Sequence, residues 1–364
     1  MTRLVCWQPL LTDHQRHTLD ALGSELGCVP EYVVATVAHE ARDGQGWARV
    51  DAAVSVMPPD WSLKWARQWF GDAGTIHIFG SPFGDRRLTA ILAIAQRHGA
   101  RVWLVSEPWS DSAEGYFSPT AMLRDRFKAI LRPLLYRLYG RLIRGVAGVF
   151  AISPLAVSQY RAIGVPPERV VPFGYFVPGP AVTLPPPAPT ACLRVAFVGA
   201  LIARKGVADL AAAAALLEAR GVAMAVDVYG SGTLADTATV RHRGTIPFGD
   251  APRVIAEYDI VVVPSRHDGW GVVVNEALMA GVPVAASDRT GAGAMIDRWG
   301  CGVRFAAGDP TALAAALAAV AADRCRLAAM RDAALALAPR LTPACAARYM
   351  AAAIGGKPEA NPWF

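Results

Sequence analysis

The sequence has no uncharged apolar run of the ~18 residues that a membrane-spanning helix requires, so none is expected. Nor does its start, "MTRLVCWQP", carry the basic-then-apolar pattern of a secretory signal. The cysteines (Cys6, Cys28, Cys192, Cys301, Cys325 and Cys345) lack metal-ligand spacing. Scattered thiols of this kind suit a reducing, cytoplasmic setting, with Cys28 and Cys192 as stray core thiols. No segment repeats at a fixed period. The dinucleotide fingerprint Gly-x-Gly-x-x-Gly is missing from both "QPLLTDHQ" and "GALIARKG", which argues against a nicotinamide oxidoreductase. Charge is sparse, at 18% of the residues.

Apolar mass is abundant. Hydrophobic residues make up 53% of 364 positions, too long a chain for one typical core, so two domains are expected. The stretch "VPGPAVTLPPPAPTA" (177–191) can be neither helix nor central strand and reads as a semi-rigid linker. The expected plan is a domain over 1–177, a linker over 178–191 and a second domain over 192–340. A helix and tail over 341–364 are then free to return to the first domain. In the second half, short apolar strands alternate with helices: "RVAFVGA" (194–200), "AVDVYG" (225–230), "DIVVVPS" (259–265) and "VPVAAS" (282–287) are the strands. Alternation with continuous apolar strands implies a parallel sheet covered on both faces. The first half is noisier, with strands at 75–80, 101–106 and 148–153 and a helix at 85–99.

The net charge of +6 is matched by one segment, 122–144, which holds seven basic residues against Asp125 alone. Its Leu123, Phe127, Ile130, Leu131, Leu134, Leu138 and Leu142 recur at helical spacing. A basic amphipathic helix of this type fits an anionic membrane surface; a core-facing helix with a solvated basic back fits equally. Pro133 and Gly140 predict a kink or break.

In parallel sheets, ligands bind beyond the carboxyl ends of strands. Two loops of the second half leave such ends, "GALIARKG" (199–206) and "SRHDGWG" (265–271). Gly199 and Gly206 permit close approach of backbone, and Arg204 and Lys205 supply positive charge. Gly269 and Gly271 precede a helix whose free N–H groups favour phosphate. Glu276 lies about one turn into that apolar helix, where an ionised acid needs a partner, and a ribose diol is a suitable one. A helix-start acid favoured by the dipole explains it equally. Asp268, in the turn, is placed for a sugar contact.

These residues resemble the donor-binding domain of retaining glycosyltransferases of the GT-B fold, in glycosyltransferase family 4. The matches run in order: "FVGALIARKG", "VDVYGSGTL", "RHRGTIPFGDAPRVIAEYDIVVVPS", "DGWGVVVNEALMAGVPVAAS" and "GAGAMIDRWGCGVRFAAGDPTALAAAL". The resemblance implies an α/β GT-B fold, two Rossmann-like domains facing a central cleft. It implies transfer of a hexose, with retention, from a nucleotide diphosphate sugar to a saccharide or lipid-linked saccharide. Glu276 would then hold the ribose and Asp268 the donor sugar. Lys205 with Arg204 would stabilise the leaving diphosphate. Gly199, Gly269, Trp270, Gly271 and Val272 complete the donor site. No metal or other cofactor is implied, and no Asp-x-Asp pair stands near these loops. No nucleic-acid partner is expected.

There are departures. Asp268 replaces the family's first Glu, and Ala200 stands where many members carry Arg. The early glycine pair of the first domain is replaced by "WQPLLTDHQRHTLDALG". Where many members place a His after the strand "RVWLVS", this chain has Ser106-Glu107-Pro108-Trp109. Glu107 takes that role or the acceptor is held differently. Trp109 and, more weakly, His77 are acceptor-side candidates, and Trp61, Trp65 and Trp69 form a stripe better read as core. Two further readings stand: a catalytically idle nucleotide-sugar-binding subunit, which Asp268 and Ala200 would allow, and a sugar-nucleotide epimerase on the same fold. The basic segment 122–144 suits a peripheral position at the inner face of a membrane.

Overall fold

A computed structural model describes residues 2–37, 52–110, 123–180, 188, 190–247 and 249–364. Most of the proline-rich stretch 178–191 lies outside them. The N-terminal domain is built on strands β1 (Arg3–Gln8), β2 (Glu31–Val34), β3 (Val54–Val56), β4 (Thr75–Gly80), β5 (Arg101–Ser106), β6 (Gly148–Ile152) and β7 (Val170–Phe173). They form one parallel sheet of order β3-β2-β1-β4-β5-β6-β7. Its helices are α1 (Asp13–Leu26), α2 (Leu63–Arg67), α3 (Arg86–Arg97), α4 (Leu123–Leu142) and α5 (Ser153–Ala162). The central strands β1, β4, β5 and β6 are buried nearly throughout, because helices cover both faces, whereas the edge strand β3 is largely exposed.

The C-terminal domain repeats the plan. Strands β8 (Leu193–Val198), β9 (Met224–Tyr229), β10 (Val240–His242), β11 (Ile260–Val263), β12 (Val284–Ser287) and β13 (Gly302–Phe305) form a parallel sheet of order β10-β9-β8-β11-β12-β13. The helices are α6 (Val207–Ala219), α7 (Ala251–Ile255), α8 (Val272–Met279), α9 (Gly293–Trp299), α10 (Pro310–Ala322), α11 (Arg324–Leu337) and α12 (Pro343–Ile354). Asp309 caps α10 through the amides of Thr311 and Ala312, with Pro310 at the first helical position. Both sheets are therefore doubly wound, with the chain direction reversing at β1/β4 and at β8/β11.

The last segment crosses back. Helix α12 packs along α1 of the N-terminal domain. Beyond it, Trp363 is fully buried against Phe173, Phe176 and Tyr349, and its indole donates to the Arg340 carbonyl. Asn361 donates to the Pro172 carbonyl and accepts the amides of Trp363 and Phe364. The tail thus touches both domains.

Helix α4 departs from expectation in two respects, and the tryptophan run keeps its core reading on a shorter element. Helix α4 runs unbroken through Pro133 and Gly140. The middle of its apolar stripe does not face a core: Ile130, Leu131, Leu134 and Leu138 are exposed, as is the neighbouring Leu135, whereas Leu142 packs against the N-terminal core. The opposite face seats Tyr136 and Tyr139 on Phe83. Arg137, Arg141 and Arg144 are exposed beside the stripe, whereas the side chains of Arg124, Arg126, Lys128 and Arg132 lie outside the described residues. The Trp61-Trp65-Trp69 run spans a helix of only five residues, α2, and packs around Trp7 as core.

Candidate functional site

The adjacency of β8 and β11 sends the loops after them from the same sheet edge. The first ends in a short turn, Ala203–Lys205, and the second carries Asp268 to Gly271. They are fastened together. The Arg266 amide donates to the Arg204 carbonyl at 2.8 Å, and the Arg204 guanidinium donates to the His267 carbonyl at 2.7 Å. Lys205 Nζ meets Asp268 Oδ2 at 2.6 Å. Arg266 in turn is paired to Asp209 at the start of α6.

Electrostatics follow from this joint. Burial alone would raise the Asp268 carboxyl, but the charges of Lys205 and Arg204 and the Lys205 hydrogen bond outweigh it. Its pKa is held below the ordinary carboxylate value, so Asp268 is an anion at neutral pH. Lys205 remains partly exposed, with 23% of its side chain accessible, and is the cation presented to the cleft. Arg204 is only 5% exposed. The expected direct contact of Arg204 with a leaving group is therefore corrected: its guanidinium braces the turn from below.

Gly271 opens α8 with φ of 90°, a left-handed conformation that glycine adopts without strain. The first amides of α8, Val272 among them, point out of the helix start and lack intrahelical acceptors. One turn on, Glu276 is half-buried and makes no hydrogen bond or ion pair among the described residues. Burial pushes its carboxyl up to about 7. A carboxylate kept there without a partner is a cost that a hydroxyl-bearing ligand would relieve.

The N-terminal domain reaches this turn. A Cβ at Gly269 would collide with the Glu107 carboxylate, which arrives from the end of β5. Gly291 likewise lies against Ser153, at the end of β6. The carboxyl edges of the two sheets therefore face each other. Trp109 is half-buried, stacked near Tyr136 of α4 at 4.1 Å and clasped by both hydrogen bonds of the Gln159 amide.

Two further site expectations are corrected. His77 is not at the cleft. It is fully buried in the middle of β4, where its Nδ1 accepts from the Trp7 indole at 3.2 Å. Burial first, then Arg3, lowers its pKa to about 4, so it is a neutral core imidazole. Trp270 offers no ring to a donor: it is 1% exposed and packs against Gly174, Phe176 and Phe364. Asn275, not singled out in the sequence, is fully buried and accepts from the Trp270 indole at 2.8 Å. Gly199 lies at the end of β8, with its amide on the Tyr229 carbonyl. Among the described residues, no group of three His, Cys, Asp or Glu side chains is gathered as a metal site.

Two facing, doubly wound domains with this joint at the cleft define a GT-B architecture. Residues 192–323 match the family model described as glycosyl transferases group 1. The chain resembles several solved glycosyltransferase structures over its whole length. Against Anabaena HepE in complex with UDP, the TM-score is 0.69 at 14% identity, covering 98% of this chain and 100% of that one. Against the sucrose-phosphate synthase of Thermosynechococcus elongatus it is 0.63 at 15%, covering 96% and 97%. Against WaaG, a glycosyltransferase involved in lipopolysaccharide biosynthesis, it is 0.58 at 17%, covering 97% and 100%. No curated protein matches the chain by sequence.

The unpartnered Glu276 gives a prediction with a definite sign. Its folded pKa, about 7, lies above the ordinary carboxyl value of 4.5, so the folded state holds the proton more tightly. Ionising it therefore costs stability as pH rises from 4.5 to 7. Glu276→Gln should leave stability unchanged at pH 4 and raise it at pH 8, by on the order of 1–3 kcal/mol. Urea denaturation at the two pH values measures this; an equal effect at both would show that the carboxylate is not desolvated.

Proposed function

We propose that the protein is a retaining, metal-independent glycosyltransferase that moves a hexose from a nucleotide diphosphate sugar to a saccharide or lipid-linked saccharide. The observation that supports it best is the convergence of Lys205, the start of α8 and the unpartnered Glu276 on one rim. That rim offers a cation and amides to a diphosphate, with a carboxylate one helical turn away for a ribose diol. The UDP complexes of HepE support a nucleotide donor of this class.

In this reading the bond from the anomeric carbon to the diphosphate oxygen breaks, leaving an oxocarbenium-like sugar. Negative charge gathers on the departing oxygen, where Lys205 and the α8 amides stabilise it. The acceptor oxygen attacks from the same face, its proton passing to the leaving diphosphate, so no protein base is strictly required. Asp268 contacts the donor sugar. Its hold on Lys205 keeps the amine aimed before the donor arrives. Glu107, whose carboxylate lies against Gly269, is in this reading on the acceptor side of the transferred carbon.

Helix α4 supports an acceptor held at an anionic membrane surface, with the enzyme peripheral at its inner face. No helix among the described residues is long and apolar enough to cross a membrane. Yet α4 exposes Ile130 at 76%, Leu134 at 59% and Leu138 at 52%, beside Arg137 and Arg141. Apolar side chains flanked by basic ones are what a headgroup boundary receives. The buried face of the same helix touches Trp109 through Tyr136, so docking α4 would bring the cleft to the surface.

Two experiments test these readings. Lys205→Ala should lower turnover by roughly a hundredfold or more, with the fold intact. The assay is acceptor-dependent release of nucleoside diphosphate, which an idle binding subunit or an epimerase would not show. Separately, the protein should sediment with phosphatidylglycerol vesicles and detach in high salt. Leu134→Asp with Leu138→Asp should abolish sedimentation without changing activity on a soluble acceptor; equal binding to neutral vesicles would exclude the electrostatic part.

A further inference from the structure

The segment that leaves β7 for the linker, Gly174-Tyr175-Phe176, is bolted to the donor turn. Trp270 lies between Gly269 and Gly271, and its ring rests on Gly174 so closely that a Cβ there would overlap it. The indole Nε1 donates to Asn275 Oδ1 at 2.8 Å, and Asn275 Nδ2 donates to the Tyr175 carbonyl at 3.0 Å. All three residues are buried, Asn275 completely. The amide of Asn275 therefore has one donor and one acceptor in use, each on a different part of the molecule. Asn275 immediately precedes Glu276 on α8, and Trp270 immediately precedes Gly271, where α8 begins.

On the far side, the Tyr175 ring meets His14 at 4.5 Å, and His14 Nε2 lies 3.1 Å from Thr12 Oγ1 in the β1–α1 loop. That loop stands at the reversal point of the N-terminal sheet, facing the cleft. Contacts are thus continuous from the donor turn, through the domain crossing, to the first loop of the acceptor-side domain. A change in the angle between the domains moves Gly174 and Tyr175, and through them Trp270 and the start of α8.

We propose that Asn275 is a positioning residue that registers the diphosphate turn to the domain crossing, so that nucleotide affinity and domain orientation are one equilibrium. This rests on the donor-site reading above. A buried side-chain amide suits the task because it must satisfy both partners at once. A hydrophobic residue of similar size would fill the space but leave the indole N–H and the Tyr175 carbonyl unpaired.

The test is titration calorimetry with UDP, GDP and ADP, alongside melting temperatures and small-angle scattering with and without nucleotide. The variants are Asn275→Leu, Trp270→Phe and Gly174→Ala, the last being far from any proposed donor contact in sequence. The expected result is binding of one diphosphate by the wild type, with compaction. Each variant that folds should bind it at least about tenfold more weakly and lose the compaction at saturating nucleotide. A merely structural role would lower melting temperatures and leave affinity and compaction as in wild type, which would overturn the inference. Should Asn275→Leu fail to fold, Trp270→Phe and Gly174→Ala decide the matter, since each keeps the amide. If the wild type binds none of the three diphosphates, the donor-site reading falls, and this inference with it. Binding by wild type and variants alike removes only the inference.

Discussion

The joint between the loops after β8 and β11 is the constraint on which the site depends. Two backbone segments more than sixty residues apart are held by one amide, one buried guanidinium and one ion pair. Its components divide the work. Arg204 gives its charge to the interior, where it holds a carbonyl and keeps Asp268 ionised. Lys205 keeps part of its surface for the cleft. An ion pair at 2.6 Å between a partly exposed amine and a buried carboxylate adds little net stability, because desolvation offsets the attraction. Its consequence is geometric: the amine is aimed before any ligand arrives, which lowers the cost of organising the site.

Asp268 and Glu276 occupy opposite ends of a scale. Both are acids near the same turn, yet one is held below the ordinary carboxylate value by neighbouring cations and the other is raised by burial without a partner. The first is satisfied within the protein. The second has no partner among the described residues, and burial disfavours its ionised form at neutral pH. Such a pairing of stabilised and destabilised groups is expected where selection has favoured binding over folding.

The C-terminal half was legible because its strands are buried on both faces and its loops are marked by glycine and proline. "RVAFVGA" reads as a strand and covers all of β8 but Leu193, "DIVVVPS" contains β11, and the two loops after them do meet. The N-terminal half was less so. Strands β2, β3 and β7 are three or four residues long, too short for a period to declare itself. For α4 the spacing of leucines located the stripe but not what it faces, since an exposed stripe and a core stripe have one period. His77 misled because a lone histidine in a strand carries no sign of whether its neighbours are water or Trp7. Trp270 looked like part of a ligand turn, and its side chain goes the other way. Asn275 carried a signal that was passed over: an amide in "VVVNEALMA" has apolar neighbours and so needs partners of its own.

The proposed donor site holds one diphosphate between the two joined loops. A crystal structure with a bound nucleoside diphosphate tests it most directly. The account predicts the diphosphate between the Lys205 amine and the amides of Gly271 and Val272, with the ribose hydroxyls on Glu276. A nucleotide bound elsewhere, or bound at this rim with its ribose away from Glu276, would contradict it.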